Sequence, residues 1–168
     1  MFKSILIPIH KAGFPFIFIF VISSLAIFIV SIELGLVGFV LTLWCIYFFR
    51  NPPRIVPTRT GLIVSPADGV VQMISKAVPP EELEMGNNPC NRIAVFMNVF
   101  NVHVNRSPVS GIVSKKYYKA GKFLNASFDK ASELNERMSL KVNMDDGTEI
   151  GFVQIAGLIA RRILCNVN

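Results

Sequence analysis

The chain's chemistry can be sought first in its histidines, because imidazole is the side chain that exchanges a proton near neutral pH. There are two. His10 precedes a long apolar stretch and reads as an interfacial residue. His103 lies in Asn98-Val99-Phe100-Asn101-Val102-His103-Val104-Asn105-Arg106-Ser107-Pro108. Asn101, His103 and Asn105 alternate with valines, so a strand through this run would put all three polar groups on one face. A lone histidine near a strand end is more often structural, and the polar strip is what favours acid/base work. Asp68, in Ser65-Pro66-Ala67-Asp68-Gly69, could orient such a histidine and stabilise its charged form. The same five residues would equally make a simple turn.

Other constellations are weaker. Gly121 to Arg137 gathers Asn125, Asp129, Lys130, Asn135, Glu136 and Arg137, which would also suit a solvated loop. Arg161-Arg162 follows an apolar run and reads as a charged strand end. Cys45, Cys90 and Cys165 have neither CxxC nor metal-ligand spacing, so reduced thiols and no metal are expected. No G-x-S-x-G elbow is present, and no cysteine lies close to His103 in sequence.

These residues must be positioned by a chain of two unlike parts. Of its 168 residues 52% are hydrophobic and 17% charged, too apolar for an ordinary soluble domain. The excess is concentrated at one end. Between Phe14 and Phe49 the one charged residue is Glu33, which separates apolar runs at Phe14–Ile32 and Leu34–Phe49. Crossing a bilayer core takes about 20 helical residues. The first run is long enough, the second slightly short, and Trp44 and Tyr47 suit an interface. A small-residue site at Ser24-Leu25-Ala26 would suit signal cleavage, but the apolar sequence continues far beyond it. Lys3 and Lys11 before the pair, with Arg50, Arg54 and Arg59 after it, place both ends in the cytoplasm. The expected organisation is a segment 1–13, a membrane hairpin 14–49 and a β-rich catalytic domain 50–168.

From Arg50 onward the composition is that of a soluble domain. Strands are expected at Gly61–Ser65, Val70–Ser75, Arg92–Phe100, Gly111–Tyr118, Met138–Met144, Thr148–Ala156 and Leu158–Cys165. Asp145-Asp146-Gly147 is a hairpin turn signal. Ala77–Pro89 reads as a surface loop, and Gly121–Arg137 as a loop carrying a helical turn. The fold class is mainly β, barrel or sandwich, behind an N-terminal α-helical membrane hairpin. The formal net charge of +6 fits an anionic partner, and beside a membrane anchor acidic lipid is favoured over nucleic acid.

The motifs SPADG, FNVHVNRSP, GKFLNASFDKAS-x-x-NER and FVQIAGLIARRI follow an apolar hairpin and Arg50-Asn51-Pro52 in this order. Together they resemble the short bacterial phosphatidylserine decarboxylase family over essentially the whole chain. The resemblance implies a proenzyme at the inner membrane, with its catalytic domain on the cytoplasmic side. It cuts itself before a serine, usually in Gly-Ser, and that serine becomes a pyruvoyl group capping a small subunit. The pyruvoyl carbonyl is the electron sink for decarboxylating phosphatidylserine to phosphatidylethanolamine, with no metal required. By motif position Asp68 and His103 are the catalytic pair, and Asn105, Arg106, Lys130 and Arg137 are candidate substrate ligands. Many relatives have a second histidine where this chain has Arg106, which cannot act as a base at neutral pH. His103 is therefore expected to serve both self-cleavage and decarboxylation, with Arg106 binding phosphate or carboxylate.

No Gly-Ser dipeptide occurs in the sequence. The expectation is a fragment that carries most of the large subunit, lacks the pyruvoyl serine and is inactive alone. Its partners would be phosphatidylserine, an anionic membrane and the small subunit, with no nucleic acid. The competing readings are a non-catalytic, membrane-tethered module for acidic lipid and an anchored hydrolase.

Overall fold

The computed structural model describes residues 7–59, 61–125 and 131–167, with backbone alone at 131 and 132. The chain divides into two compact units. One comprises the described residues of Met1–Arg59 with Pro66–Asp68 and Met97–Arg106, and the other takes the remainder.

The first unit is built on two helices, α1 (Phe14–Val30) and α2 (Ile32–Phe48). Ser31 is extended and breaks the helical path, and its hydroxyl accepts from the Leu34 amide, capping α2. Small residues let the pair approach closely. A Cβ on Gly35 would lie 2.5 Å from the Phe28 side chain, and the Ser24 and Thr42 hydroxyls meet at 3.1 Å. Lys11–Val30 is one continuous 20-residue helical stretch, long and apolar enough to cross a bilayer, with a mean hydropathy of 2.6. Ile32–Phe48 is apolar but shorter. The segments flanking the hairpin meet: Ile9 pairs antiparallel with Arg50, and the His10 amide donates to the Phe49 carbonyl at 2.9 Å.

The second unit holds the strands, so the expected combination of a mainly β part and an N-terminal helical hairpin is what the chain forms. β1 (Val70–Ala77) pairs antiparallel with β2 (Cys90–Phe96). β3 (Ile112–Lys119), β4 (Arg137–Asn143) and β5 (Glu149–Ile155) form an antiparallel sheet with β4 in the centre. Met138, Ser139, Leu140 and Val142 of β4 are buried, as a central strand requires. The β4–β5 hairpin turns at Asp146-Gly147, where Gly147 has φ 82° and Asp146 accepts from the Thr148 amide. That backbone hydrogen bond holds the Asp146 carboxyl below its ordinary pKa.

Three expectations need correction. Gly61–Ser65 and Leu158–Cys165 are not strands. Leu158 to Arg161 turns on itself, with Gly157 N–H donating to Ala160 and the Arg161 Nε to the Leu158 carbonyl. Arg92–Phe100 is a strand only as far as Phe96. Beyond it, Asn98 and Asn101 side chains accept from the Phe100 and Asn98 amides, and these local turns compete with the ladder. The polar strip of Asn101, His103 and Asn105 is therefore not on a strand face.

The loop Ala77–Pro89 holds more than surface. Its short 3-10 turn Glu81–Leu83 buries Leu83 to 1% exposure, and a Cβ on Gly151 would lie 2.9 Å from the Leu83 side chain. A short helix, α3 (Ala131–Leu134), falls in the stretch expected to carry a helical turn. All three cysteines are free thiols, and no group able to hold a metal occurs among the described residues.

Candidate active site

The first unit gathers three chain segments around the end of α2: Arg50 to Arg54, Pro66–Asp68, and Met97–Arg106. The Arg50-Asn51-Pro52 run acts as a splice between them. Arg50 lies over the Tyr47 ring at 3.6 Å and donates to the carbonyls of Tyr47 and Phe100, both at 2.8 Å. Arg106 donates through Nη2 to Asn51 Oδ1 at 2.6 Å and to the Pro52 carbonyl at 2.9 Å. The Arg106 amide also donates to the Pro66 carbonyl at 2.9 Å, which joins the aspartate loop to the histidine segment.

Within this frame His103 is partly buried against the last residue of α2. Its ring stacks on Phe48, with centroids 4.0 Å apart and planes 20° from parallel. Its Nδ1 lies 3.0 Å from the Asn101 carbonyl oxygen. A carbonyl can only accept, so Nδ1 carries the proton and Nε2 keeps its lone pair. Burial pushes the imidazole below its ordinary pKa, the bond to Asn101 opposes that, and the nearby Arg50 charge adds to the lowering. The outcome is a neutral ring of fixed tautomer, which is the form that takes a proton.

Asp68 forms an ion pair with Arg54. The orienting contact on His103 thus comes from the Asn101 carbonyl, and the carboxylate engages a guanidinium that the sequence offered only as a charge flanking the hairpin. Asn105 leaves its side-chain Oδ1 buried without a hydrogen-bond partner among the described residues. Arg106 commits Nη2, while its Nη1 and Nε donors have no partner among the described residues.

Arg137 begins β4 in the second unit and pairs with Glu82 at 2.7 Å, both side chains nearly buried. Ser139 donates to the same carboxylate at 2.9 Å. Burial pushes the Glu82 carboxyl up, but its hydrogen bonds and the Arg137 charge prevail and hold it below its usual range. Asn135 is fully buried and serves the backbone: it accepts from Leu124 N–H and donates to the carbonyls of Leu124 and Ala156. Lys130 lies outside the described residues. Sequence reasoning missed Phe48, Asn51 and Arg54, and the one available signal was a polar Arg-Asn-Pro run closing an apolar helix.

Comparison with known proteins agrees with these motifs. The family model described as phosphatidylserine decarboxylase matches residues 41–168. A phosphatidylserine decarboxylase proenzyme of Cereibacter sphaeroides is 55% identical over 167 residues, covering 99% of this chain and 72% of the relative. Its counterpart in Paramagnetospirillum magneticum is 53% identical over 98% of this chain and 69% of the relative. That of Ruegeria pomeroyi is 54% identical over 94% and 72% respectively.

Proposed function

The chain belongs to the phosphatidylserine decarboxylase family, and from that premise we propose that it forms most of the large subunit of an enzyme converting phosphatidylserine to phosphatidylethanolamine. The observation that carries the reading is the state of His103: neutral, tautomerically fixed by Asn101, with Nε2 free. Such a nitrogen takes the proton of a serine hydroxyl when that hydroxyl attacks the preceding carbonyl in self-cleavage. It can later exchange a proton at the substrate α-carbon.

We place the serine in the part of the relatives' length that these residues do not span. A pyruvoyl group formed from it would supply the electron sink for the carboxylate's departure. The residues here suit such a group. Among the described residues Asn105 has a buried amide oxygen lacking a partner, and neighbouring Arg106 retains donors for a carbonyl, phosphate or carboxylate oxygen. Asn105 would therefore receive the substrate ammonium, and Arg106 one of its anionic groups. Asp68 remains the proposed carboxylate of the self-cleavage step, held by its ion pair with Arg54. Arg137 supports the sheet, and Lys130 remains a candidate for the head group.

The apolar hairpin delivers this site to its lipid. With Lys11, Arg50, Arg54 and Arg59 flanking it, the proposed location is the inner membrane with the soluble part in the cytoplasm. The test is expression of the complete reading frame, followed by mass spectrometry and assay of lipid conversion in vesicles. Two fragments, the smaller starting with a pyruvoyl mass, and phosphatidylethanolamine as product are expected. An uncut chain without lipid conversion would favour the binding module and withdraw the roles given to Asp68 and His103.

A further inference from the structure

Phe48 closes α2, and as a membrane helix terminus it would need only to be apolar. Its surroundings ask for more. It is 8% exposed, with Trp44 at 5.6 Å and Phe49 at 5.2 Å between ring centroids, and its face lies on the His103 imidazole at 4.0 Å. Phe49 is in turn stacked on Phe16 of α1 at 5.4 Å. A row of rings therefore runs from the hairpin's first helix to the proposed base.

The imidazole is pinned at two points. The hydrogen bond from Nδ1 to Asn101 fixes one edge, and a single hydrogen bond still allows the ring to swing about it. Stacking on Phe48 removes that freedom and keeps water from one face. Arg50 reinforces the arrangement from the same helix end, since its bond to Phe100 holds the segment that leads into His103. Facing His103 from the helix end, the charged group is Arg50, while Asp68 and Arg106 are engaged by Arg54 and by Asn51 with Pro52.

We propose that Phe48 is a positioning residue of the active site, so that the membrane hairpin sets the orientation and hydration of His103 as well as tethering the enzyme. This rests on His103 being the base, and it assigns to the anchor a part in proton transfer. Any displacement of the α2 terminus is then transmitted to Nε2, and misplacement on the order of 1 Å is enough to slow such a step about a hundredfold.

The experiment uses the full-length enzyme in phospholipid nanodiscs, comparing wild type with Phe48→Leu, Phe48→Tyr and His103→Gln. Histidine ring signals, assigned by their absence in His103→Gln, are followed through a pH titration by NMR. In wild type the His103 ring protons should show the upfield shift that a stacked aromatic ring imposes. Phe48→Leu should abolish it, raise the titration midpoint as water reaches the ring, and slow self-cleavage about ten- to a hundredfold. Its pH–rate profile should move with the titration, and Phe48→Tyr should restore all three. A wild-type His103 lacking the ring shift overturns the proposal without any variant. So does Phe48→Leu with an unchanged titration and pH profile. A wild-type protein that neither cleaves nor decarboxylates refutes the decarboxylase reading instead, and the ring-shift measurement still decides the stacking.

Discussion

At the scale of single residues, the site is an arrangement of partial commitments. Among the described residues His103 gives one nitrogen to Asn101 and keeps the other, Arg106 gives one amino group to Asn51 and Pro52, and Asn105 keeps a buried oxygen unpaired. His103→Gln should abolish self-cleavage while leaving the fold intact, read as an uncut band with unchanged circular dichroism. Because burial lowers the pKa of His103 in the folded state, the unfolded chain binds more protons as pH falls through the ordinary histidine range. Stability from this group is therefore full above that range and declines on acidification through it. His103→Gln should flatten that part of the melting-temperature profile, and an unchanged slope would refute it. Arg54→Gln tests the exposed pair with Asp68. An exposed pair contributes roughly 0–1 kcal/mol, so melting should hardly move while the cleavage rate falls.

At the scale of elements, the sequence revealed periodicity better than punctuation. β1, β3, β4 and β5 emerged from their valine, isoleucine and aromatic content, and Asp146-Gly147 announced its turn. The end of β2 did not, because it depends on Asn98 and Asn101 hydrogen-bonding to nearby amides, which an alternating pattern hides. The same limit applied to the site. His103 was identifiable as the one histidine outside the anchor region, but its Phe48 partner lies 55 positions away and reads as ordinary membrane helix. Leu83 was hidden inside an acidic, proline-bearing loop, where composition argues for solvent. It should behave as core: Leu83→Ala is expected to destabilise by about 2–5 kcal/mol, seen as a lower melting temperature. Glu82→Ala removes the carboxylate that Arg137 and Ser139 share and should lower the melting temperature, with little change in the pH–rate profile. A large change in substrate affinity for that variant would return Arg137 to the list of substrate ligands.

At the scale of the whole molecule, exposed apolar surface is concentrated on the hairpin, from Phe14 through Leu43 and Tyr47. The proposed membrane location would cover these side chains with lipid. The full-length protein should float with liposomes in a density gradient and stay bound at high salt, as burial of apolar surface requires. Release by salt would instead make the basic residues the main attachment. Gly35→Leu should separate the two helices, since even a Cβ there meets Phe28, and reduce cleavage with membrane binding retained.

The first compact unit is assembled from three stretches of sequence, and two stretches of the second, 60–65 and 69–96, interrupt them along the chain. On the ribosome the hairpin emerges first, yet its unit cannot be finished until Arg106 has been translated, by which time β1 and β2 have already been made. On the proposed function, insertion into the bilayer would precede completion of the site around His103, and the chain must return twice to a helix end already made. The same interleaving resists modular exchange in evolution. A recombination event that replaced residues up to Arg59 with a foreign anchor would leave Pro66–Asp68 and Met97–Arg106 without the surface they fold against. Such a chimaera can inherit a route to the membrane, but it would have to reinvent the ground on which its histidine stands.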